Sequence, residues 1–302
     1  MLSTTFDEAA VLLTGASSGI GRELALILAD RGARLAISAR SGDRLDTLAE
    51  TIVDRGGVAP IVIRSDLALR GAAQRLAQTA VAALGSVEVL INNAGGGVGG
   101  SQWAVGDADA AREAFEVNYW SPLALVHELV PSMRERGSGT VVNVTSMAQI
   151  NTWPTFGAYA ATKAALALAT ETLRLELSGS GVHVVEAIPG PVDTAVQGET
   201  RLAPGIDRML NRVPLGDATE MARQIARAIA HRHTHVIYPR RAALAYYLPA
   251  AARWDTRRLA ARGLREIDDS SLEALYSMIL RTGSTGDTRD AREAWETDRG
   301  RL

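Results

Sequence analysis

The sequence predicts an α/β protein whose core is a parallel, doubly wound sheet with helices on both faces. Seven short runs rich in Val, Ile and Leu are typical of strands covered on both faces, and longer segments of helical periodicity separate them. The candidate strands are residues 10–14, 33–38, 58–63, 87–92, 140–146, 182–188 and 234–239. The candidate helices are residues 19–30, 43–55, 71–84, 108–136, 157–178 and 217–232. Because ligands of such sheets bind beyond the carboxyl ends of the strands, we expect the functional site there.

Composition narrows the class of protein. The chain has 302 residues, 47% of them apolar, and a net charge of −2. This length and apolar content allow a sizeable core, and the charge balance argues against nucleic acid as a partner. The absence of cysteine excludes disulfides and thiolate zinc sites. Neither a signal-peptide pattern nor an apolar run of about 18 residues is found, so we expect a cytoplasmic protein without a membrane-spanning segment.

The first candidate strand runs into the glycine-rich stretch "TGASSGIG", residues 14–21. Glycines between a strand and a helix let the backbone approach a pyrophosphate, whose charge the helix N-terminus favours. The spacing is G-x-x-x-G-x-G rather than G-x-G-x-x-G, and a merely tight turn is the alternative interpretation. We expect a dinucleotide to lie beside Gly15, Ser17, Ser18, Gly19, Ile20 and Gly21.

The end of the second candidate strand bears on the cofactor. An NAD site requires a carboxylate here to hold the ribose 2′-hydroxyl, yet the chain has Ser38, Ala39 and Arg40. A guanidinium binds a 2′-phosphate in bidentate fashion, whereas a carboxylate repels it. Arg40 therefore favours NADP over NAD, with an exposed arginine at a helix start as the alternative.

Two further segments are candidates for contact with adenosine. Asp66 follows the third candidate strand and is placed to accept from the adenine amine, with Leu67 beside it. The alternative for Asp66 is a helix N-cap. The fourth candidate strand ends in "NNAG", and Asn93, Ala94 and Gly95 would let the backbone pass close to the adenosine.

Tyr159 and Lys163 lie four residues apart and share one face of a candidate helix. Since a nearby ammonium stabilises a phenolate, the pair is suited to proton transfer near neutral pH. Lys163 also has donors for the nicotinamide ribose. The alternative is a buried tyrosine with a surface lysine. Ser146 ends a strand and is placed to bind a carbonyl oxygen, while strand alternation turns Thr145 to the opposite face.

Pro122 follows Asn118 by four residues inside a candidate helix. Proline lacks the N–H that would bond the Asn118 carbonyl, so the helix should be interrupted there. We expect the freed carbonyl to hold a water that links Lys163 to solvent. A kinked helix without a functional role is the alternative.

Taken together, these motifs resemble the short-chain dehydrogenase/reductase family. "TGASSGIG", "NNAG", Asn118, Ser146, "YAATK" and "PGPVDT" occur in the family's order across roughly residues 8–240. The resemblance implies a Rossmann-type sheet of seven strands and a catalytic tetrad of Asn118, Ser146, Tyr159 and Lys163. It also implies NADP where an arginine follows the second strand, and a nicotinamide site lined by Pro189, Gly190, Val192 and Thr194. Members are mostly dimers or tetramers joined through two long helices, here near 108–136 and 157–178.

The function that this resemblance implies is NADP(H)-dependent interconversion of a ketone or aldehyde and an alcohol. We expect substrate specificity to depend on residues 95–105, 147–156 and 191–216. These segments contain Trp103, Trp153 and Phe156, together with Met147 and Ile150. They suggest an apolar or ring-containing small molecule, although packing in the core or at a subunit contact explains them as well. The alternative functions are a non-catalytic NADP-sensing regulator and an epimerase or dehydratase that recycles its nicotinamide.

Residues 1–240 are expected to form the dinucleotide-binding and catalytic domain, and residues 241–302 a helical extension with a frayed tail. A capping box of Ser270 and Glu273 opens an amphipathic segment of that extension. This face would cover the substrate cleft, dock on a second subunit or lie on a membrane surface, and we favour packing on the domain or its partner. "HRHTH" places His231, His233 and His235 at alternate positions. Because this junction is distant in the chain from the tetrad, we expect no metal site there.

Overall fold

A computed structural model describes residues 6–100, 102–152, 154–192 and 216–263 of the chain. Seven strands form one sheet in the order β3-β2-β1-β4-β5-β6-β7, and every neighbouring pair is parallel. The predicted doubly wound sheet is therefore confirmed. The strands are β1 (Ala10–Thr14), β2 (Arg34–Ala39), β3 (Ile61–Arg64), β4 (Val89–Asn92), β5 (Gly139–Val144), β6 (Val182–Pro189) and β7 (His235–Tyr238).

The helices lie on both faces of the sheet. They are α1 (Gly19–Ala29), α2 (Gly42–Asp54), α3 (Ala72–Leu84), α4 (Gln102–Val105), α5 (Asp109–Phe115), α6 (Ser121–Glu135), α7 (Gly157–Glu176), α8 (Ala218–His231), α9 (Ala242–Tyr247) and α10 (Pro249–Gly263). Successive strand residues supply two separate cores because their side chains alternate. Leu13 and Ile91 pack with α1, α2 and α8, whereas Leu12 and Leu90 pack with α3 and α6.

The structure divides the candidate helix at residues 108–136 into two α-helices. A π-helical turn at Glu116–Trp120 separates α5 from α6. The Ser121 N–H bonds to Glu116 O, five residues back, and Pro122 has no N–H with which to restore the α-helical pattern. The expected interruption at Asn118 is thus present, as a widened turn that reorients the helix face.

The described part of the extension contacts the segment that follows Ser146. Leu248, with φ −121° and ψ 60°, leaves the helical region between α9 and α10, and Pro249 begins the second helix. Arg253 Nε donates to Ile150 O at 3.0 Å. Ser270 and Glu273 lie outside the described residues. Within the described ranges, we find no helix with the length and apolar character needed to cross a membrane.

Candidate active site

The glycine turn after β1 is joined directly to the segment after β4. Thr14 Oγ1 accepts from Asn93 N and Ala94 N, both at 3.0 Å. In return, Asn93 Nδ2 donates to Thr14 O at 3.0 Å and to Gly15 O at 3.1 Å. These strands are neighbours where the chain order reverses in the sheet, which is where such folds bind ligands.

Two of the glycines in this turn serve internal packing. A Cβ on Gly15, which has φ +68°, would lie 2.7 Å from Ala94 Cα, and one on Gly21 would lie 2.2 Å from Gly15 O. Any side chain at either position would push the turn away from Asn93. The sequence interpretation, in which the glycines only admit a pyrophosphate, is therefore incomplete.

The N-terminus of α1 remains the candidate phosphate site. Ser17, Ser18 and Gly19 are partly exposed, and Ser18 is the N-cap although its hydroxyl makes no capping bond. Ile20 is buried in the core, so only its backbone is available to a ligand. The N–H groups of a first helical turn have no intrahelical partner, and together with the two partly exposed serines they form a donor set that fits a pyrophosphate.

Arg40 lies directly after β2 and is exposed. In the adjacent strand, Arg64 Nη2 donates to Asp43 Oδ1 at 2.8 Å, so the nearest acidic residue of α2 is already paired. The end of β2 therefore carries an exposed guanidinium and no carboxylate.

Asp66 and Leu67 are held by local hydrogen bonds. Asp66 Oδ1 accepts from Ala68 N at 3.0 Å, which makes it the cap of a turn rather than of α3. Leu67 is buried, and its carbonyl accepts from Ser121 Oγ at 2.8 Å. One carboxylate oxygen of Asp66 thus has a structural role, and the second is the one available to an adenine amine.

Lys163 is a buried residue, so the surface lysine of the alternative interpretation is wrong. Its side chain lies on α7, is 4% exposed, and donates from Nζ to Val144 O at 2.9 Å. Burial lowers the pKa of Lys163 to about 8, because an ammonium loses hydration on entering the protein.

Tyr159 lies one turn before Lys163, and the Lys163 ammonium is 5.9 Å from the centre of its ring. Burial raises the pKa of Tyr159, and a hydrogen bond with Ser146 acts in the opposite direction. The sequence predicted that the ammonium would lower the pKa of the phenol. In this structure desolvation prevails, since it penalises the phenolate more than the hydrogen bond stabilises it.

Ser146 and Thr145 face different partners, as strand alternation predicts. Ser146 Oγ accepts from Ala148 N at 3.1 Å, which caps a 3₁₀ turn at Met147–Ile150, and Ser146 acts to lower the pKa of Tyr159. Thr145 Oγ1 instead donates to Glu186 Oε1 at 2.8 Å. The local turn therefore fixes the serine hydroxyl beside the phenol.

Asn118 is fully buried on the π-helical turn and is held on both sides of its amide. Nδ2 donates to Gly96 O at 2.8 Å and to Thr162 Oγ1 at 3.0 Å, and Oδ1 accepts from Gly96 N at 3.0 Å. A Cβ on Gly95 would lie 3.1 Å from Asn118 Oδ1 and 3.4 Å from Lys163 Nζ. Gly95 therefore lies between the asparagine and the lysine.

Thr162 and Gly96 were missed by the sequence reasoning. Thr162 Oγ1 donates to Tyr159 O at 2.7 Å while it accepts from Asn118, so it links the π-helical turn to the tyrosine. The available signal was its place inside "YAATK", directly before Lys163.

The expected nicotinamide segment follows β6. Pro189 is the last residue of that strand, and Gly190 N donates to Tyr238 O at 2.6 Å. Val192 is buried and pairs with Gly216, so its backbone holds the segment in place. Thr194 lies outside the described residues.

The expected substrate residues separate into buried and exposed groups. Met147 is buried, and Phe156 and Ile150 are partly buried. Trp103 on α4 is 78% exposed, and Trp153 lies outside the described residues. Gly100 N donates to Thr155 O at 2.9 Å, which brings the segment before α4 against the segment before α7.

Comparison with known proteins identifies the family. The short chain dehydrogenase family model matches residues 9–204, a range that includes the glycine turn, Ser146, Tyr159 and Lys163. The chain belongs to the short-chain dehydrogenase/reductase family. It is accordingly an oxidoreductase of the nicotinamide-dependent type that acts on CH–OH groups.

Three similar proteins represent the relationship. An 11-beta-hydroxysteroid dehydrogenase 1A of Arabidopsis thaliana is 28% identical, over 90% of this chain and 82% of the relative. A family member from Burkholderia phymatum, solved in complex with NAD, has a TM-score of 0.72 at 29% identity, over 80% of this chain and 92% of its own. Another from Sphingobium yanoikuyae, in complex with NADPH, has a TM-score of 0.70 at 28% identity, over 86% of this chain and 97% of its own. The neighbours thus support a nicotinamide cofactor and leave the choice between NAD and NADP open.

Proposed function

We propose that this short-chain dehydrogenase/reductase is an NADP(H)-dependent enzyme that interconverts a ketone or aldehyde and an alcohol on an apolar small molecule. The observation that carries the proposal is that the buried Lys163 ammonium lies 5.9 Å from the centre of the Tyr159 ring on α7, with Ser146 near enough to lower the pKa of that phenol. An acid, a hydrogen-bond donor and a cation then converge at the carboxyl edge of the sheet. This combination suits polarisation and protonation of a carbonyl oxygen.

Each of these residues has a distinct role in the proposed reduction. When bound, the reduced nicotinamide supplies the hydride that the carbonyl carbon accepts. Ser146 donates a hydrogen bond to the carbonyl oxygen, and Tyr159 gives it a proton. The raised pKa of Tyr159 keeps the phenol protonated and ready to donate. Lys163 binds the nicotinamide ribose and returns to Tyr159 the proton that the phenol has given up. Asn118 orients the water through which Lys163 exchanges protons with solvent.

The proposed cofactor contacts follow the edge of the sheet. The turn at Gly15–Gly21 holds the pyrophosphate, Asp66 and Leu67 flank the adenine, and Asn93–Gly95 lie along the adenosine. Pro189, Gly190, Val192 and Thr194 line the nicotinamide. Arg40 binds the 2′-phosphate, and this contact is the basis of the proposed NADP preference. Its exposure and the pairing of Asp43 with Arg64 support that choice.

The proposed substrate is apolar and contains a ring. The exposed indole of Trp103 and the partly buried Phe156 and Ile150 offer apolar contact area, and Ile150 lies in the turn that Ser146 caps. The hydroxysteroid name of the Arabidopsis relative supports a substrate of this class. Ketones with fused or bulky rings are therefore the first compounds to test.

We also propose the organisation of the whole protein. Residues 1–240 form the catalytic domain and residues 241–302 an extension that shapes the substrate cleft, supported by the Arg253–Ile150 contact. Two exposed leucines on α7, Leu168 and Leu175, support a homodimer or homotetramer built on α6 and α7. The proposed location is the cytoplasm.

The experiment is a comparison of NADPH consumption by the wild type and by Tyr159→Phe, with a panel of cyclic ketones. The variant should lose about 10²- to 10⁴-fold in kcat, because removal of a positioned general acid costs that much. Its Kd for NADPH, measured by fluorescence titration, should stay close to that of the wild type.

The matched control is Tyr247→Phe, which changes an exposed tyrosine of α9 and should retain wild-type kcat. Equal rates in Tyr159→Phe and the wild type would contradict the assignment of the acid. NADPH binding without consumption on any carbonyl would instead favour a sensor, and turnover without net NADPH loss would favour an epimerase or dehydratase.

A further inference from the structure

Two carboxylates and one imidazole from three different elements converge outside the proposed reaction centre. Glu171 on α7, Glu186 on β6 and His235 on β7 each offer one ligand atom, and these atoms lie within 4.8 Å of one another. His235 Nε2 is 2.8 Å from Glu171 Oε1 and 3.7 Å from Glu186 Oε2. In the described part of the chain, this is the only such group of metal-ligating side chains.

Glu186 has one satisfied and one unsatisfied oxygen. Its side chain is 1% exposed, and Oε1 accepts from Thr145 Oγ1 at 2.8 Å and from Gln149 Nε2 at 3.0 Å. Oε2 is buried without a hydrogen-bond partner among the described residues, and it faces His235. Since an isolated buried carboxylate is costly, proteins pair such a group with a charge or a metal.

The other two side chains are oriented by outer partners. His235 Nδ1 lies 3.1 Å from Thr234 Oγ1. Without an ion, the 2.8 Å contact with Glu171 Oε1 requires a proton on Nε2, and an ion would replace that proton while Nδ1 donates to the hydroxyl. Glu171 Oε2 pairs with Arg174, which leaves Oε1 directed at the imidazole. Metal ligands in proteins are held in this way by a second set of hydrogen bonds.

The local charge balance favours a cation. Arg174 is the neighbouring positive group, with Nη1 3.5 Å from His235 Nε2, and it neutralises only one of the two carboxylates. Tyr246 on α9 packs near His235, with ring centres 6.3 Å apart. With a neutral imidazole at His235, the two carboxylates and the Arg174 guanidinium leave one net negative charge in the cluster.

We propose that Glu171 Oε1, Glu186 Oε2 and His235 Nε2 bind one divalent transition-metal ion, with Zn²⁺ as the best fit. Zinc accepts imidazole and carboxylate ligands at about 2.0–2.2 Å, so tetrahedral ligand atoms lie roughly 3.3 Å apart. The measured 2.8 Å and 3.7 Å bracket that spacing. The side chain of Glu171 is 44% exposed, which gives the ion access from solvent and leaves room for a water ligand.

The bound ion fixes residues on both sides of Ser146. Glu186 holds Thr145, directly before the serine, and Gln149 in the turn that the serine caps. An ion that fixes Glu186 also joins α7, β6 and β7. It therefore acts as a structural brace, and the hydride chemistry of the proposed function does not depend on it.

The test is calorimetric titration of the full-length chain with Zn²⁺ after removal of bound metal with EDTA. The wild type should bind one ion per chain, and Glu171→Gln and His235→Gln should each weaken binding by at least about tenfold. Because Glu171 is partly exposed, its amide variant should keep the fold, as melting curves in EDTA will verify. Co²⁺ in place of Zn²⁺ should give a visible four-coordinate spectrum that both variants lose.

The matched control is His231→Gln/His233→Gln, which removes two exposed imidazoles whose rings lie 5.9 Å apart. Its Zn²⁺ affinity should equal that of the wild type. The proposal is overturned if the wild type binds no Zn²⁺, if the Glu171 and His235 variants bind it as tightly as the wild type, or if the control loses binding. None of these readouts depends on dehydrogenase activity.

Discussion

Burial shifts the pKa values of Lys163 and Tyr159 in opposite directions. It lowers that of the ammonium to about 8 and raises that of the phenol, because each shift favours the neutral form of the group. The phenol therefore remains a proton donor at neutral pH. The hydrogen bond from Ser146 partly offsets the penalty on the phenolate, and this is the contact that the proposed mechanism requires.

The first residue-scale prediction concerns Arg40. Arg40→Ala should raise KM for NADPH about 10- to 100-fold and leave KM for NADH unchanged, because a hydrogen bond to a charged group contributes about 1.5–3 kcal/mol. Steady-state kinetics with both cofactors measure the effect. Arg70→Ala, which also removes an exposed arginine, is the control and should change neither KM. Equal shifts with NADPH and NADH would contradict a 2′-phosphate contact.

At the scale of elements, three short segments position the site. The π-helical turn presents Asn118 to Gly96 and Thr162, and the 3₁₀ turn capped by Ser146 fixes its hydroxyl. Helix α10 then contacts that turn through Arg253 and Ile150. The π-helical turn and the 3₁₀ turn depart from regular α-helix and strand where Asn118 and Ser146 need a particular orientation.

The element-scale prediction tests this contact of α10. Arg253→Ala removes the donor to Ile150 O and should raise KM for the ketone several-fold, because one exposed hydrogen bond contributes about 1 kcal/mol. The Kd for NADPH should not change. Arg257→Ala, four residues further along the same exposed helix, is the control. An unchanged ketone KM in Arg253→Ala would argue against a role for the extension in the cleft.

At the scale of the whole molecule, two cores hold the sheet from both sides. The strand ends that carry the candidate site are therefore fixed in position. The segments that form the site meet at the carboxyl edge of the sheet. Leu168 and Leu175 on α7 remain 72% and 77% exposed. Seven residues apart, they share one helix face, and exposed apolar side chains grouped in this way mark contact surfaces.

The whole-molecule prediction is that Leu168→Asp/Leu175→Asp prevents formation of the proposed homodimer or homotetramer. Two charges in an apolar interface leave unpaired buried groups, so the mass measured by light scattering should fall to that of one chain. Leu244→Asp, at a 70% exposed leucine on α9, should leave the mass unchanged. A monomeric wild type, or an unchanged mass in the double variant, would contradict the proposed interface.

Local sequence patterns predict much of this protein. Alternating strand and helix periods predict its elements, and the family motifs predict the residue types of its site, because both depend on neighbours along the chain. They did not predict the burial of Lys163, whose partner is Val144, or the π-helical form that the expected interruption at Asn118 takes. The roles of the predicted site residues remain proposals for the experiments above.

The sequence by itself determined the fold class, the family and the candidate chemistry. Only the tertiary structure decided which groups meet across long stretches of chain. Asn118 bonds Thr162, and Glu171, Glu186 and His235 come together from three elements. The histidine run alone suggested three imidazoles on one face, whereas the fold pairs His235 with two carboxylates. Such contacts depend on how helices and strands pack, and spacing along the chain does not contain that information.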